Sequence, residues 1–268
     1  SVLSLDVQKA FDIVEWSILF EKLEFYGITA NASAWFRSYF TNRTSQVTVN
    51  GITGKNVCLL LRGVCQGSVL GPLLFLIFIN DLPNCLSDSK SILFADDNQI
   101  YNSDKNIHRL AEKINKEIAH LVAWYSCNRL PIHPLKTALT FFKPTNHDDF
   151  KIPVDNDGNC TLNIVTDFNF NNTVIDQAKK HPVHITNTEP TGAGGTNILG
   201  IYLDPNLNFK EQVKLAGAKV KSSIYALKKA KEFLPESECI KLFHAFCRSH
   251  INYSCLLYTS DAADDLVG

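Results

Sequence analysis

The stretch SKSILFADDNQIYNSDK, residues 89–105, sets two adjacent carboxylates, Asp96 and Asp97, between an apolar run, Ile92-Leu93-Phe94-Ala95, and a second short alternation, Ile100-Tyr101. The pattern reads as a buried hairpin with acids at its turn. Strand side chains alternate faces, so the pair shares one edge only if a tight turn separates the strands. Buried without partners, both charges would be costly; they call for water, a basic side chain or a divalent cation. Taken alone, such a pair is ordinary turn chemistry, because Asp favours turns through local hydrogen bonds. Asp6 shifts the balance. VLSLD, residues 2–6, reads as a strand that stops abruptly on a carboxylate. Three carboxylates converging at strand ends make an all-oxygen site suited to Mg2+, which keeps some waters and shares its shell with phosphates.

The 268 residues, 45% hydrophobic and 20% charged, suffice for one good core or two small ones and exclude disorder throughout. Lys plus Arg number 26 against 27 Asp plus Glu, so net charge decides nothing about a nucleic-acid partner. The apolar run VLGPLLFLIFI, 69–79, is too short to span a bilayer, and charges stand where a signal peptide would be apolar. An intracellular chain with no membrane partner is expected. The eight cysteines form no C-x-x-C pair, which predicts buried free thiols. The sequence contains no methionine and opens mid-strand, the expectation for a fragment of a longer reading frame.

Apolar spacing predicts helices over Ile13–Tyr26 and Ala32–Phe40, then a hairpin in residues 45–62 around Asn50-Gly51. Residues 63–86 read as a glycine-punctuated loop running into a helix apolar enough to lie within the core. Leu110, Ile114, Ile118, Leu121 and Trp124 mark a helix in 106–130, with Lys113, Lys116, Glu112 and Glu117 on its polar face. Periodicity fades from Pro144 to Gly195, where only Ile152–Val154, Leu162–Val165 and Val183–Ile185 resemble strands. A strand and turn follow in 197–209. Val213, Val220, Ile224 and Leu227 mark a helix on which Lys214, Lys221 and Lys228 recur every seventh residue, and a last helix spans Glu236–Arg248.

LSLDVQKAFDIVEW, RGVCQGSVLGPLLFLIFINDLP and ILFADDNQIY resemble, in order, the first palm motif, the second, and the catalytic hairpin of reverse transcriptases from non-long-terminal-repeat retrotransposons, jockey-like elements in particular. NRLPIHPLKT, 128–137, resembles the lysine motif that follows, and NILGIYLD, 197–204, the strand that grips the primer. The resemblance implies an α+β fold: an antiparallel palm sheet packed on helices over 1–143, a loop-rich insertion or palm extension over 144–195, a primer-grip region over 196–209 and a partial helical thumb over 210–254. The fingers subdomain, which would precede the first motif, is expected to be missing along with the element's other domains, and its basic contacts to triphosphate and template with it. Residues 255–268 form an expected non-native tail, because CLLYTSDAADD, 255–265, resembles translated sequencing adaptor.

The implied activity is RNA-directed DNA polymerisation: attack of a primer 3′-hydroxyl on a deoxynucleoside triphosphate, on an RNA template, in the nucleus or cytoplasm. A nucleic-acid-binding remnant that has lost turnover is the alternative. The resemblance assigns two Mg2+ ions, with Mn2+ as a substitute, to Asp6, Asp96, Asp97 and the Val7 carbonyl. Phe11 would crowd a ribose 2′-hydroxyl, Gln66 and Gly67 would lie beneath the incoming nucleotide, and Lys136 would approach the leaving pyrophosphate. Leu199 and Gly200 fall in the primer grip, and Lys214, Lys221 and Lys228 would follow the backbone of the hybrid. Bare of that resemblance, Phe11 reads equally as core, residues 63–71 as a flexible loop, and the lysines as a solvated face. Asp12 is expected to cap the helix after it. His133 stands where the family has asparagine.

Other signals carry less. DNDGNC, 155–160, has its glycine too early for a calcium loop and no closing glutamate. Cys239, Cys247, His250 and Cys255 lack the close pairs of zinc sites, and TGAGGTNILG, 191–200, lacks a dinucleotide loop's spacing.

Overall fold

A computed structural model describes residues 1–133, 136–142, 184–185 and 196–255. They fall into two compact units, the first comprising residues up to 141 with 184–185, the second residues 142 and 196–255.

In the first unit, β1 (Val2–Leu5) is followed by α1 (Trp16–Phe25), α2 (Ala30–Phe40), β2 (Thr44–Val49), β3 (Ile52–Leu59), α3 (Leu70–Ile79), β4 (Lys90–Phe94), β5 (Asp97–Tyr101), α4 (Ile107–Cys127), β6 (Ala138–Thr140) and β7 (His184–Ile185). Five strands form one sheet in the order β4-β5-β1-β6-β7, antiparallel except for the β6–β7 pair. β1 is central because it is apolar on alternate positions. Leu3 pairs across both neighbours with Ile100 and Leu139, and all three are buried. The helices close over this row: Leu19 and Leu23 from α1, Leu74, Phe75 and Phe78 from α3, and Leu110, Ile114, Ile118 and Leu121 from α4. Each such side chain contributes roughly 1.5–3 kcal/mol of burial. The result is a mixed α/β fold with antiparallel sheets against helices. Among the described residues, no helix is long and apolar enough to cross a membrane.

Several elements depart from the periodicity. α1 starts at Trp16 and not at Ile13, because the Val14 carbonyl accepts from the Gly63 N–H at 2.8 Å while the Trp16 indole donates to the Gly63 carbonyl at 2.8 Å. Asp12 therefore does not cap it; the residue before the helix is Glu15, which makes no side-chain cap bond. α3 is not wholly interior, since Leu73 and Leu76 are exposed on its outer side. On α4 the fully buried aromatic is Tyr125, with Trp124 only half-buried, because a helix turning 100° per residue carries Tyr125 inward. Glu117, expected on the polar face, is 1% exposed.

β2 and β3 form a separate hairpin, turning at Asn50-Gly51 with φ of 50° and 77° as that dipeptide predicts. In the second unit, the strand expected near 197–209 is a hairpin, β8 (Thr196–Ile198) and β9 (Ile201–Leu203). It is followed by α5 (Lys210–Ala230), α6 (Glu236–Leu242), a π-helical turn over Phe243–Arg248, and α7 (Ser249–Cys255). Asp204 folds the link: its carboxylate accepts from the N–H groups of Asn206, Asn208 and Phe209 at 3.0, 3.2 and 2.7 Å. Cys58, Cys65, Cys85, Cys127, Cys239 and Cys247 are free thiols, but of these only Cys247 is buried, and Cys58 and Cys127 are exposed. The strands expected at 152–154 and 162–165, and the tail beyond 255, lie outside the described residues.

Candidate functional site

β4 and β5 pair with Phe94 opposite Asp97, which leaves Ala95-Asp96 as a two-residue turn, and Ala95 takes a positive φ of 52°. Asn98, fully buried beneath, braces this turn. Its amide donates to the Asp96 carbonyl at 3.2 Å and to the Tyr125 hydroxyl at 2.9 Å. Burial pushes the Tyr125 hydroxyl well above the ordinary phenol range, so it stays protonated and available to this network. Leu5 on β1 pairs with Asn98, and one further step along that register brings Asp6 beside Asp97. The chain beyond β1 continues along residues 131–133: Val7 bridges Ile132, the Gln8 N–H donates to the Pro131 carbonyl at 3.0 Å, and His133 N–H donates to the Asp6 carbonyl at 2.7 Å. The His133 carbonyl in turn accepts from the Lys136 and Thr137 N–H groups, and Lys136 Nζ lies 3.5 Å from Asp6 Oδ2.

Three acids and one cation thus meet at the hairpin tip. Partial desolvation, then the charges of Asp96 and Asp6, push the Asp97 carboxyl above its ordinary range, and Lys136 pulls the other way. In kind, these donors suit a hard divalent cation, whose charge would relieve that repulsion. In arrangement, they stop short: among the described residues no group of three or more His, Cys, Asp or Glu side chains is placed to hold a metal ion. Lys136 occupies one side of Asp6.

The loop before α3 lies along the segment after β1. The Val64 N–H donates to the Phe11 carbonyl at 2.7 Å, and Gln66 Nε2 donates to Asp12 Oδ1 at 2.9 Å. Asp12 is therefore a tether for Gln66. Phe11 stacks on Phe75 of α3 at 4.7 Å and 23°, so one ring face belongs to the core. Gly67 has φ +77°, and at Gly63, φ +90°, an added Cβ would stand 2.6 Å from the Asp12 carbonyl oxygen; both positions favour glycine. In the second unit, Leu199 and Gly200 are the turn of β8–β9, with φ of 50° and 82°, and the Leu199 carbonyl accepts from the Tyr253 hydroxyl. Lys214, Lys221 and Lys228 lie exposed along α5, Lys214 paired to Glu211 at 2.5 Å.

Sequence reading missed Asn98 and Tyr125, the Asp12–Gln66 tether, and Glu117. One signal was present for the first: Asn98 is polar on a strand whose alternation turns it inward.

A family model described as reverse transcriptase (RNA-dependent DNA polymerase) matches residues 1–200. The chain is 27% identical over 150 residues to the Retrovirus-related Pol polyprotein from type-1 retrotransposable element R2 of Popillia japonica, covering 52% of this chain and 24% of that protein. It is 29% identical over 170 residues to the Probable RNA-directed DNA polymerase from transposon BS of Drosophila melanogaster, covering 58% of this chain and 18% of that one. The chain therefore spans no more than about a quarter of the length of either relative.

Proposed function

The chain belongs to the reverse transcriptase (RNA-dependent DNA polymerase) family, and on that premise we propose that it is the palm and partial thumb of a non-long-terminal-repeat, jockey-like retrotransposon enzyme that holds an RNA–DNA hybrid without turnover of its own. The carrying observation is the Asp6–Lys136 ion pair beside acids that are near one another but not gathered. In this reading the hybrid is held through its phosphates by the exposed Lys214, Lys221 and Lys228. Proposed boundaries are 1–143 for the palm, 144–195 for an extension, 196–209 for the primer grip and 210–254 for the thumb.

A second reading, active two-metal nucleotidyl transfer, is favoured by the presence of Asp6, Asp96 and Asp97 at the ends of adjacent strands. Mg2+ held by these three with the Val7 carbonyl would supply activation of the primer 3′-hydroxyl and charge neutralisation on the departing pyrophosphate. Lys136 then moves its charge from Asp6 to the leaving group. Phe11, fixed by Phe75, presents its free edge toward a ribose 2′ position, and Gln66, held by Asp12, lies with Gly67 under the nucleotide. Leu199 and Gly200 support the primer end, while Lys214, Lys221 and Lys228 contact phosphates and give binding its salt dependence.

The test is a paired assay on the purified chain: binding of a labelled RNA–DNA hybrid, and primer extension with deoxynucleotides and Mg2+. Hybrid binding without extension is expected. Extension that disappears in Asp96→Asn supports the second reading, and failure to bind hybrid at low salt overturns both.

A further inference from the structure

Both residues of the β8–β9 turn, Leu199 and Gly200, lie at positive φ, as a type I′ turn between paired Ile198 and Ile201 requires. Glycine adopts that geometry freely and leucine seldom does, so the Leu199 conformation persists only where its surroundings hold it. The holding groups come from three later positions in the chain. Gln212, buried in the first turn of α5, accepts from the Tyr202 N–H at 2.8 Å and ties β9 to that helix. Asp204 folds the link between β9 and α5. The third is Tyr253 of α7, whose hydroxyl donates to the Leu199 carbonyl at the tip itself.

The Tyr253 ring lies across Gly200: a Cβ added there would stand 3.6 Å from Tyr253 Cε1. Tyr253 is 51% exposed, so its contact with the turn is no by-product of core packing. The helix that carries it has a fixed origin. A π-helical turn closes i→i+5 bonds where an α-helix closes i→i+4, so it rotates the face of whatever follows. Phe243–Arg248 is such a turn, directly before α7, and Cys247 within it is fully buried. α7 packs against α5 and leaves that anchored turn with Tyr253 on the hairpin tip.

We infer that Tyr253 is a positioning residue for the primer end: by holding the Leu199 carbonyl from α7, it fixes the turn against which the 3′-terminal nucleotide rests. The inference rests on the reading of 196–209 as the primer grip, and it adds to that region a residue far outside it in the chain. Tyr253 acts through the turn and touches no nucleotide. Without its hydroxyl the Leu199 carbonyl loses its partner, and the strained turn is free to relax to other geometries. The terminal nucleotide is then held less uniquely. Overall affinity for a hybrid, carried by phosphate contacts along α5, stays as it was.

The experiment uses the full chain and two RNA–DNA hybrids, one with 2-aminopurine as the 3′-terminal base of the DNA primer and one with it well inside the duplex. Anisotropy of a dye on the template gives affinity, and 2-aminopurine fluorescence at saturating protein gives the placement of each base. Binding of the parent chain should change the terminal signal and leave the internal one nearly as it was. Tyr253→Phe keeps the ring beside Gly200 and removes only the hydroxyl. It should bind within about twofold of the parent, while the terminal change falls by about half or more. Saturation removes differences in affinity, so a general weakening of the fold does not move that readout. Tyr253→Ala, lacking ring and hydroxyl, should lose at least as much of the terminal change; should it melt early, Tyr253→Phe decides alone. A parent chain that binds neither hybrid, or binds without a terminal change, overturns the primer-grip reading and this inference with it. A terminal change that Tyr253→Phe leaves intact overturns the inference alone.

Discussion

Glu117 gives the sharpest test of how the acidic hairpin is supported. Its carboxylate is buried in α4 and accepts from the Ser87 N–H at 3.1 and 3.2 Å, the Ser87 hydroxyl at 3.0 Å and the Asp88 N–H at 2.6 Å. These donors belong to the loop that delivers β4, so the bond set anchors the strand leading to Asp96. Hydrogen bonds to a charged group contribute about 1.5–3 kcal/mol each. Glu117→Gln keeps one carbonyl acceptor but loses the charge and the second oxygen, and should cost about 2 kcal/mol. Glu117→Ala loses all three donors' partner and leaves a cavity, for about 4 kcal/mol. For a chain of this size the Gln change corresponds to a Tm drop of about 4–8 °C. Burial pushes the Glu117 carboxyl up, but the bonds from Asp88 and Ser87 outweigh it and hold it below the ordinary range. A carboxylate lowered by folding contributes stability that is complete above its unfolded pKa, about 4.3, and fades as pH falls through the folded value. Thermal melts of parent and Glu117→Gln should therefore differ most near neutral pH and converge in acid. Equal Tm values at pH 7, or a gap that persists unchanged in acid, would refute the reasoning.

Three further changes test other joints. Gly63→Ala drives a Cβ to 2.6 Å from the Asp12 carbonyl at a positive φ, and urea unfolding should show a loss of about 3 kcal/mol. Tyr125→Phe removes the hydroxyl that Asn98 binds, where Asn98 Oδ1 already lacks a partner, and should cost about 1–2 kcal/mol by the same measurement. Asp204→Ala frees three backbone N–H groups between β9 and α5, so amide exchange at Asn206, Asn208 and Phe209 should accelerate while exchange in β1 stays unchanged.

What the sequence determined by itself was local and periodic. The alternation around FADD, the three-and-four spacing on α4 and the Asn50-Gly51 turn each follow from side-chain direction and backbone preference, which act over a few residues. The family motifs placed Asp6, Asp96, Asp97 and Lys136 in chain order; in the structure Lys136 lies 3.5 Å from Asp6, and the charges of Asp6, Asp96 and Lys136 act on Asp97. Tertiary structure decided whatever depends on a partner distant in the chain. Asp12 tethers Gln66 and caps nothing, because the segment at 63–66 takes the backbone groups a longer α1 would need. Glu117 lies inside because a loop thirty residues earlier supplies it with donors, which no helical period encodes. The electrostatic setting of the hairpin tip was likewise decided in space: Asp6 and Lys136, distant in the chain from Asp97, act on it with opposite sign, which a one-dimensional pattern does not contain.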